Sequence, residues 1–242
     1  MIHIVVLAYN EAVALPGLLE KLNAVLSKQS EPFRILVVDD GSKDGTGDAA
    51  RRSAEGLPVV VLRHAVNQGV AKAFDTGVRR AAGDAADADI IITMEGDGTN
   101  DPDCLPAMLD KFRQGFDVVC ASRYAPGGAY RGFPLKRYVL SRGANALARL
   151  FFRVPGIRDY TLFYKGYRAR LLKQALGRFG DRFIEGRGFA ANAEILVKTC
   201  RNRALRCAEV PMIYRYDLKS GKSKMAIVKN LVEYLKLFKA GK

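Results

Sequence analysis

Glu95-Gly96-Asp97 is the densest chemical signal in the chain, two carboxylates two residues apart directly after the apolar run 90–94. An extended backbone aims residues i and i+2 the same way. The two acids would then face one point, and like charges held that close call for a cation between them. Magnesium or manganese suits such a pair, because these ions take one or two protein carboxylates and fill their other positions with phosphate oxygens and water. The plainer reading is an acidic turn whose Asp101-Pro102-Asp103 caps the next helix, and that cap does not exclude the ion.

Three further runs have the same character. Ala8-Tyr9-Asn10-Glu11 follows the first apolar run, and Asp39-Asp40-Gly41-Ser42 with Asp44-Gly45-Thr46 follows the second. Asn67-Gln68-Gly69 follows the third and leads into a helical pattern bearing Lys72. A carboxylate at a strand end can accept from ribose hydroxyls or a base edge, and an ammonium at a helix start can meet a phosphate. Any one of these runs alone would be an ordinary turn or cap.

What must position them is an alternation of short aliphatic runs with helical patterns. Residues 2–7, 35–38, 59–62, 90–94 and 118–121 are short, β-branched and almost continuously apolar, as buried parallel strands are. Residues 13–27, 46–54, 70–82 and 103–112 carry helical periodicity. The alternation predicts an α/β fold, a mostly parallel sheet flanked by helices, with ligands beyond the carboxyl ends of the strands. Residues 125–137, rich in glycine, aromatics and arginine, read as a mobile loop. A helix over 136–152, one or two more strands, a helix over 190–201 and a strand over 205–210 complete the expectation. At 242 residues and 49% hydrophobic content, residues 1–242 read as one domain.

The formal charge of +14 attracts polyanions without choosing among nucleic acid, anionic lipid and phosphorylated substrates. Cys104, Cys120, Cys200 and Cys207 form no zinc-ribbon or redox spacing, which fits packing and a reducing, cytoplasmic setting. No basic leader is visible, and no apolar stretch reaches the roughly 20 residues that span a bilayer. Residues 222–242 read as a basic amphipathic helix. Val228, Leu231, Val232, Leu235 and Phe238 fall on one face, with Lys222, Lys224, Lys239 and Lys242 flanking it. Such a helix either packs on the core or rests on an anionic membrane.

Taken together, these residues resemble the family 2 inverting glycosyltransferases of GT-A-type fold, and within them the polyprenyl-phosphate sugar synthases typified by dolichol-phosphate mannose synthase. The resemblance runs through Tyr9-Asn10-Glu11, Val37 to Ser42, Asn67-Gln68-Gly69, Gly83-Asp84, the acidic turn and Ser122-Arg123-Tyr124. It continues through Arg137 with Ser141 and Arg142, then Asp159, Glu194, Glu209-Val210-Pro211 and Gly221 to Lys224. Departures are Ala8 for the usual proline, Glu95 for the first acid of the usual Asp-x-Asp, and an altered segment from Thr161 to Arg168.

The resemblance implies a metal-dependent transfer of a hexose from a nucleoside-diphosphate sugar to a polyprenyl phosphate. GDP-mannose is the first donor to expect and a UDP-sugar the next. Ala8, Tyr9, Glu11, Asp40, Gly69, Lys72 and Gly96 would hold the donor nucleotide, and Glu95 with Asp97 the Mg2+ or Mn2+. Asp97, Arg123 and Arg137 would be catalytic. Arg123, Arg137, Ser141, Arg215 and Lys224 would receive the acceptor phosphate. A peripheral position on the cytoplasmic face of a membrane, directly or through an anchoring partner, would follow from a lipid acceptor.

Three rivals remain at this level. A soluble or glycan hydroxyl acceptor would need a base, for which Asp159 or Glu194 is available. A nucleic-acid-binding protein is disfavoured, because the strand ends are acidic and the basic residues are not interleaved with aromatics as a stacking platform requires. A sugar nucleotidyltransferase would want a glycine-rich basic loop after the first strand, and Ala8 to Glu11 is not one.

Overall fold

The computed structural model of the chain describes residues 1–188, 190–201, 204–218 and 233. The first half follows the alternation that the aliphatic runs impose: β1 (Ile2–Ala8), α1 (Ala14–Leu26), β2 (Phe33–Asp39), α2 (Thr46–Ser53), β3 (Val59–Arg63), α3 (Val70–Asp84) and β4 (Ile90–Glu95). After β4 a short 3-10 turn, Pro102–Cys104, precedes α4 (Leu105–Arg113) and β5 (Val118–Ser122). Asp101 caps that turn by accepting from the Asp103 N–H at 3.1 Å, so the helical segment expected over 103–112 begins as 3-10 and turns α only at Leu105.

The rest of the chain comprises β6 (Ala129–Arg131), α5 (Leu135–Phe152), β7 (Lys165–Arg168), α6 (Ala169–Phe179), α7 (Ala190–Thr199), β8 (Cys207–Pro211) and β9 (Ile213–Arg215). Helix α6 was not expected from the sequence, although Ala169, Leu172 and Ala175 bury at helical spacing. The stretch 125–137 is tied down by β6, which pairs in parallel with β9. The segment 222–242, with Lys224, lies outside the described residues apart from Glu233. Among the described residues no helix is long and apolar enough to cross a membrane.

Seven strands form one sheet in the order β3-β2-β1-β4-β7-β5-β8. All neighbours are parallel except β7, which lies antiparallel between β4 and β5. Alternate side chains of each strand enter opposite cores. Val5, Leu36, Val38 and Ile91 pack with α3, α6 and α7, while Ile4, Val6, Ile35 and Ile92 pack with α1 and α4. Burying both faces explains why β1 and most of β2 and β4 read as unbroken apolar runs.

The register aligns the strand ends that matter. Ala8 lies opposite Asp39, and Leu7 opposite Glu95. Strands β1 to β3 step one way across the sheet and β4 returns to the other side of β1, so the order reverses between β1 and β4. In an open α/β sheet that reversal opens a crevice beyond the strand ends. Tyr9-Asn10-Glu11 and Glu95-Gly96-Asp97 are the residues that follow the two strands flanking it.

Candidate functional site

Short side chains lace the loops after β1 and β2 together. The Asn10 N–H donates to Ser42 Oγ at 2.9 Å, Lys43 N–H to Asn10 Oδ1 at 3.0 Å, Glu11 N–H to Thr46 Oγ1 at 2.8 Å, and Ala12 N–H to Asp44 Oδ2 at 3.1 Å. Asn10 takes a left-handed φ of 54°, which asparagine tolerates better than most residues. Asp40, 3% exposed, accepts from Gln68 N–H at 2.9 Å and Gly69 N–H at 2.8 Å, and meets His64 Nδ1 at 2.7 Å. The second imidazole nitrogen of His64 reaches Thr76 Oγ1 at 3.0 Å. Asp40 therefore shapes the 67–69 turn, orphan N–H groups at the start of α3 included.

The acidic turn is held as tightly. Gly96 N–H donates to Leu7 O at 2.8 Å, and a Cβ there would stand 3.0 Å from that oxygen and 3.3 Å from Ala8 Cβ, so only glycine fits without a shift. Asp97, 4% exposed, accepts at Oδ1 from Thr99 N–H at 3.1 Å and Thr99 Oγ1 at 2.6 Å. Burial first, then the nearby Glu95 and Asp97 carboxylates, push the Tyr214 phenol far above its ordinary pKa. Tyr214 thus senses the negative charge of this turn. Among the described residues no group of three or more His, Cys, Asp or Glu side chains is placed to hold a metal. A two-carboxylate site fits an ion that completes its shell with diphosphate oxygens and water, and does not fit a structural zinc.

On the other side of Tyr214 lies a buried ion pair. Arg123 grips Asp159 with two near-parallel bonds, Nε to Oδ2 and Nη2 to Oδ1, both 2.7 Å, and Nη2 also donates to Thr161 Oγ1 at 2.7 Å. Three phenol rings surround the guanidinium, Tyr130 at 5.0 Å, Tyr214 at 5.6 Å and Tyr124 at 5.7 Å from their centroids. Burial opposes ionisation of Asp159, but Arg123 outweighs it and holds the carboxyl below its usual range. The turn carrying Asp159 is fixed from beneath. Glu209 accepts from the Arg158 and Asp159 N–H groups at 2.7 Å each, and the fully buried Lys165 ammonium donates to Tyr160 O at 3.3 Å, to Leu162 O and to Asn192 Oδ1 at 3.1 Å. Burial lowers the Lys165 pKa.

Comparison with known proteins decides the family. The glycosyl transferase family 2 model matches residues 3–176. The chain belongs to that family. It is 31% identical to polyprenol monophosphomannose synthase of Mycolicibacterium smegmatis, over 92% of this chain and 80% of that one. It is 32% identical to undecaprenyl-phosphate mannosyltransferase of Micrococcus luteus, over 90% and 84% of the two chains. Among solved structures it superposes on glucosyl-3-phosphoglycerate synthase of Mycobacterium tuberculosis, in complex with Mn2+, uridine diphosphate and glucosyl-3-phosphoglycerate, with a TM-score of 0.67. That match has 18% identity and covers 100% of this chain and 78% of the other. The protein is a glycosyltransferase with a GT-A-type fold.

In this glycosyltransferase Ala8, Tyr9, Glu11, Asp40, Gly69, Glu95, Gly96 and Asp97 all sit at the carboxyl edge of β1, β2 and β4 or on the turns that β1 to β4 lead into. Lys72, half-exposed on the first turn of α3, pairs with Asp75 at 3.0 Å. Ser141 meets the Tyr124 and Tyr130 hydroxyls at 3.2 Å each, and Arg137 lies 5.8 Å from the Tyr216 ring. Arg215 donates to Asp217 at 2.9–3.1 Å, while its own N–H reaches Thr99 O at 3.4 Å, beside the acidic turn. The two carboxylates considered as bases are committed: Asp159 to Arg123, and Glu194 to the Glu185 and Gly186 N–H groups and Lys198 at 2.6 Å.

Sequence reasoning missed His64 as the partner of Asp40, Thr99 as the partner of Asp97, and the ring of Tyr124, Tyr130 and Tyr214. His64 directly follows β3, and that position was its one readable signal. Tyr124 stood in the Ser122-Arg123-Tyr124 run, but Tyr214 comes more than 80 residues after Tyr130, so the ring as a unit left no signal.

Proposed function

We propose that this glycosyltransferase moves a hexose from a nucleoside-diphosphate sugar, GDP-mannose first and a UDP-sugar second, to a polyprenyl phosphate at a membrane surface. The observation that carries the reading is the register of β2, β1 and β4. It gathers the Tyr9 to Glu11 turn, the Asp40-shaped loop and the acidic pair into one crevice, with Arg123 and its tyrosines across Tyr214. Relatives named for polyprenyl-phosphate acceptors support the choice of acceptor.

The crevice orders the reaction as follows. Tyr9, Glu11 and the 67–69 turn hold the nucleoside, and Glu95 with Asp97 would hold Mg2+ or Mn2+. When bound, that ion offsets the charge developing on the leaving diphosphate. Arg137, Ser141 and Arg215 bind the acceptor phosphate, while Arg123 supplies a fixed positive charge whose place Asp159 sets. A phosphate monoester has a second pKa of about 6 and arrives largely ionised, so no side chain need take a proton from it. The commitment of Asp159 and Glu194 fits that economy.

The test is a thermal-shift panel of GDP, UDP and their sugars with and without manganese, followed by transfer assays. One diphosphate should raise the midpoint in a metal-dependent way, because a ligand bound only by the native state stabilises it. The Glu95→Ala/Asp97→Ala double variant should lose both that shift and turnover. Transfer to a free sugar hydroxyl with none to polyprenyl phosphate would overturn the acceptor.

A further inference from the structure

The four cysteines are all free thiols, and their surroundings differ. Cys120 is enclosed in β5 and Cys200 is buried just past the end of α7, while Cys104 and Cys207 are partly exposed. Burial, then the Asp101 and Asp103 carboxylates, push the Cys104 thiol up to about 12. Such a thiol stays protonated at neutral pH and is a poor nucleophile. Cys207, the first residue of β8, is the opposite case.

Only six residues separate Cys200 from Cys207, and the end of α7 meets the start of β8 in one apolar cluster. The Cys200 thiol donates a hydrogen bond to the Cys207 sulfur. As acceptor, Cys207 has its pKa lowered against the opposing effects of burial and Asp117, while Cys200 is pushed far above its ordinary value, first by donating that bond and then by burial. A partly exposed, more acidic thiol beside a buried one is the arrangement of an attacking and a resolving cysteine. Sulfurs already in contact need little movement to reach the ~2.05 Å of a disulfide.

Both elements that carry the pair also brace the turn on which Asp159 stands. From α7, Asn192 donates to Tyr160 O at 3.2 Å and to Leu162 O at 2.5 Å. From β8, Glu209, two residues past Cys207, accepts from the Arg158 and Asp159 N–H groups. Gly156 lies so close to the Cys207 carbonyl that a Cβ there would clash with it. Any shift of the Cys207 backbone therefore presses on the segment leading to Asp159, and through Asp159 on Arg123.

We propose that Cys200 and Cys207 are a site of reversible oxidation by a low-molecular-weight disulfide, and that closing their bridge shifts the Asp159 turn and slows transfer. The Cys207 thiolate attacks one sulfur of the oxidant and expels a thiolate, leaving a mixed disulfide. Cys200, its proton lost to water, then attacks the Cys207 sulfur and expels the second thiolate. Two protein thiols are oxidised, and one small disulfide is reduced to two thiols. In a reducing setting the pair rests as thiols, and the bridge forms when that reducing power falls. The slowing of transfer rests on the acceptor-side reading above; the bridge itself does not.

The experiment treats the full chain with glutathione disulfide, maps the cysteines by peptide mass and follows hydrogen exchange at the Arg158 and Asp159 amides. The Cys200–Cys207 bridge should form before Cys104 is modified, with altered exchange at both amides. Transfer to polyprenyl phosphate should lose roughly tenfold or more in kcat at unchanged donor KM, as displacement of a positioned charge costs. Dithiothreitol should restore all three. Cys200→Ala should stop at a mixed disulfide on Cys207, Cys207→Ser should form neither adduct nor bridge, and Cys104→Ser should respond as the wild type does. An adduct on Cys104 ahead of Cys207, or a bridge to Cys120, overturns the pair. A Cys200–Cys207 bridge with unchanged exchange at both amides overturns its link to the site. Mapping and exchange need neither donor nor acceptor, so a bridge with altered exchange in a protein that transfers nothing to polyprenyl phosphate faults the proposed reaction and not the pair.

Discussion

The donor crevice and the Arg123 region are built in opposite ways. At the donor end, carboxylates and hydroxyls are spent on backbone N–H groups of neighbouring turns, and their partners come from the ends of adjacent parallel strands. Around Arg123 the binding is between side chains from distant segments, with Asp159, Thr161, Tyr130 and Tyr214 closing on one guanidinium. The first arrangement fixes backbone shape and leaves the crevice open. The second fixes a charge that is almost wholly buried.

If that contrast is right, the largest effect should come from breaking the buried pair. Asp159→Ala leaves Arg123 uncompensated, and denaturant unfolding should register a loss of about 3–5 kcal/mol. A loss under about 1 kcal/mol would mean that Arg123 behaves as a surface charge. The same pair sets a pH signature. The Asp159 carboxyl sits below its unfolded pKa, so its stabilisation is present above that unfolded value and lost as pH falls through the folded one. Acid titration of stability should therefore fall more steeply for the wild type than for Asp159→Asn, and parallel curves would contradict the assignment.

At the donor end Asp40→Ala should cost less, about 1–3 kcal/mol, because it strands the Gln68 and Gly69 N–H groups rather than a charge. Hydrogen exchange at those two amides should quicken, with weaker nucleoside-diphosphate binding alongside. The smallest effect belongs to Lys72→Met. Its exposed pair with Asp75 contributes within about 0.5 kcal/mol, so the unfolding midpoint should hold while the KM for the donor rises. An unchanged KM would remove Lys72 from the phosphate site.

The same contrast explains what could be read from the sequence. Strands β1 to β5 were legible to within two residues at each end because the aliphatic runs are continuous, as burial of both faces requires everywhere but at the edge strand β3. The crevice residues were legible because each stands immediately after its strand. Strand β7 was not, since Lys165-Gly166-Tyr167-Arg168 carries neither an aliphatic run nor alternation, and its lysine is buried through bonds to carbonyls and an amide. Nor was the purpose of Asp159 legible. It resembled a free carboxylate until the fold brought Arg123 to it across 36 residues. Residues 125–137 read as loose because glycines and prolines punctuate them, while the partner strand that orders them, β9, lies more than 80 residues away.

Strand β7 has a consequence for assembly. Strands β1 to β4 can zip together as the chain emerges, each crossover being one helix long, but β4 and β5 have no direct hydrogen-bonded edge in common. They are joined only when residues 165–168 insert between them, a contact spanning about 75 positions on the β4 side. Closing so long a loop is slow compared with local pairing. A nascent chain halted before Lys165 is therefore expected to hold a nucleotide crevice beside two unsatisfied strand edges, exposed to chaperones and to aggregation alike.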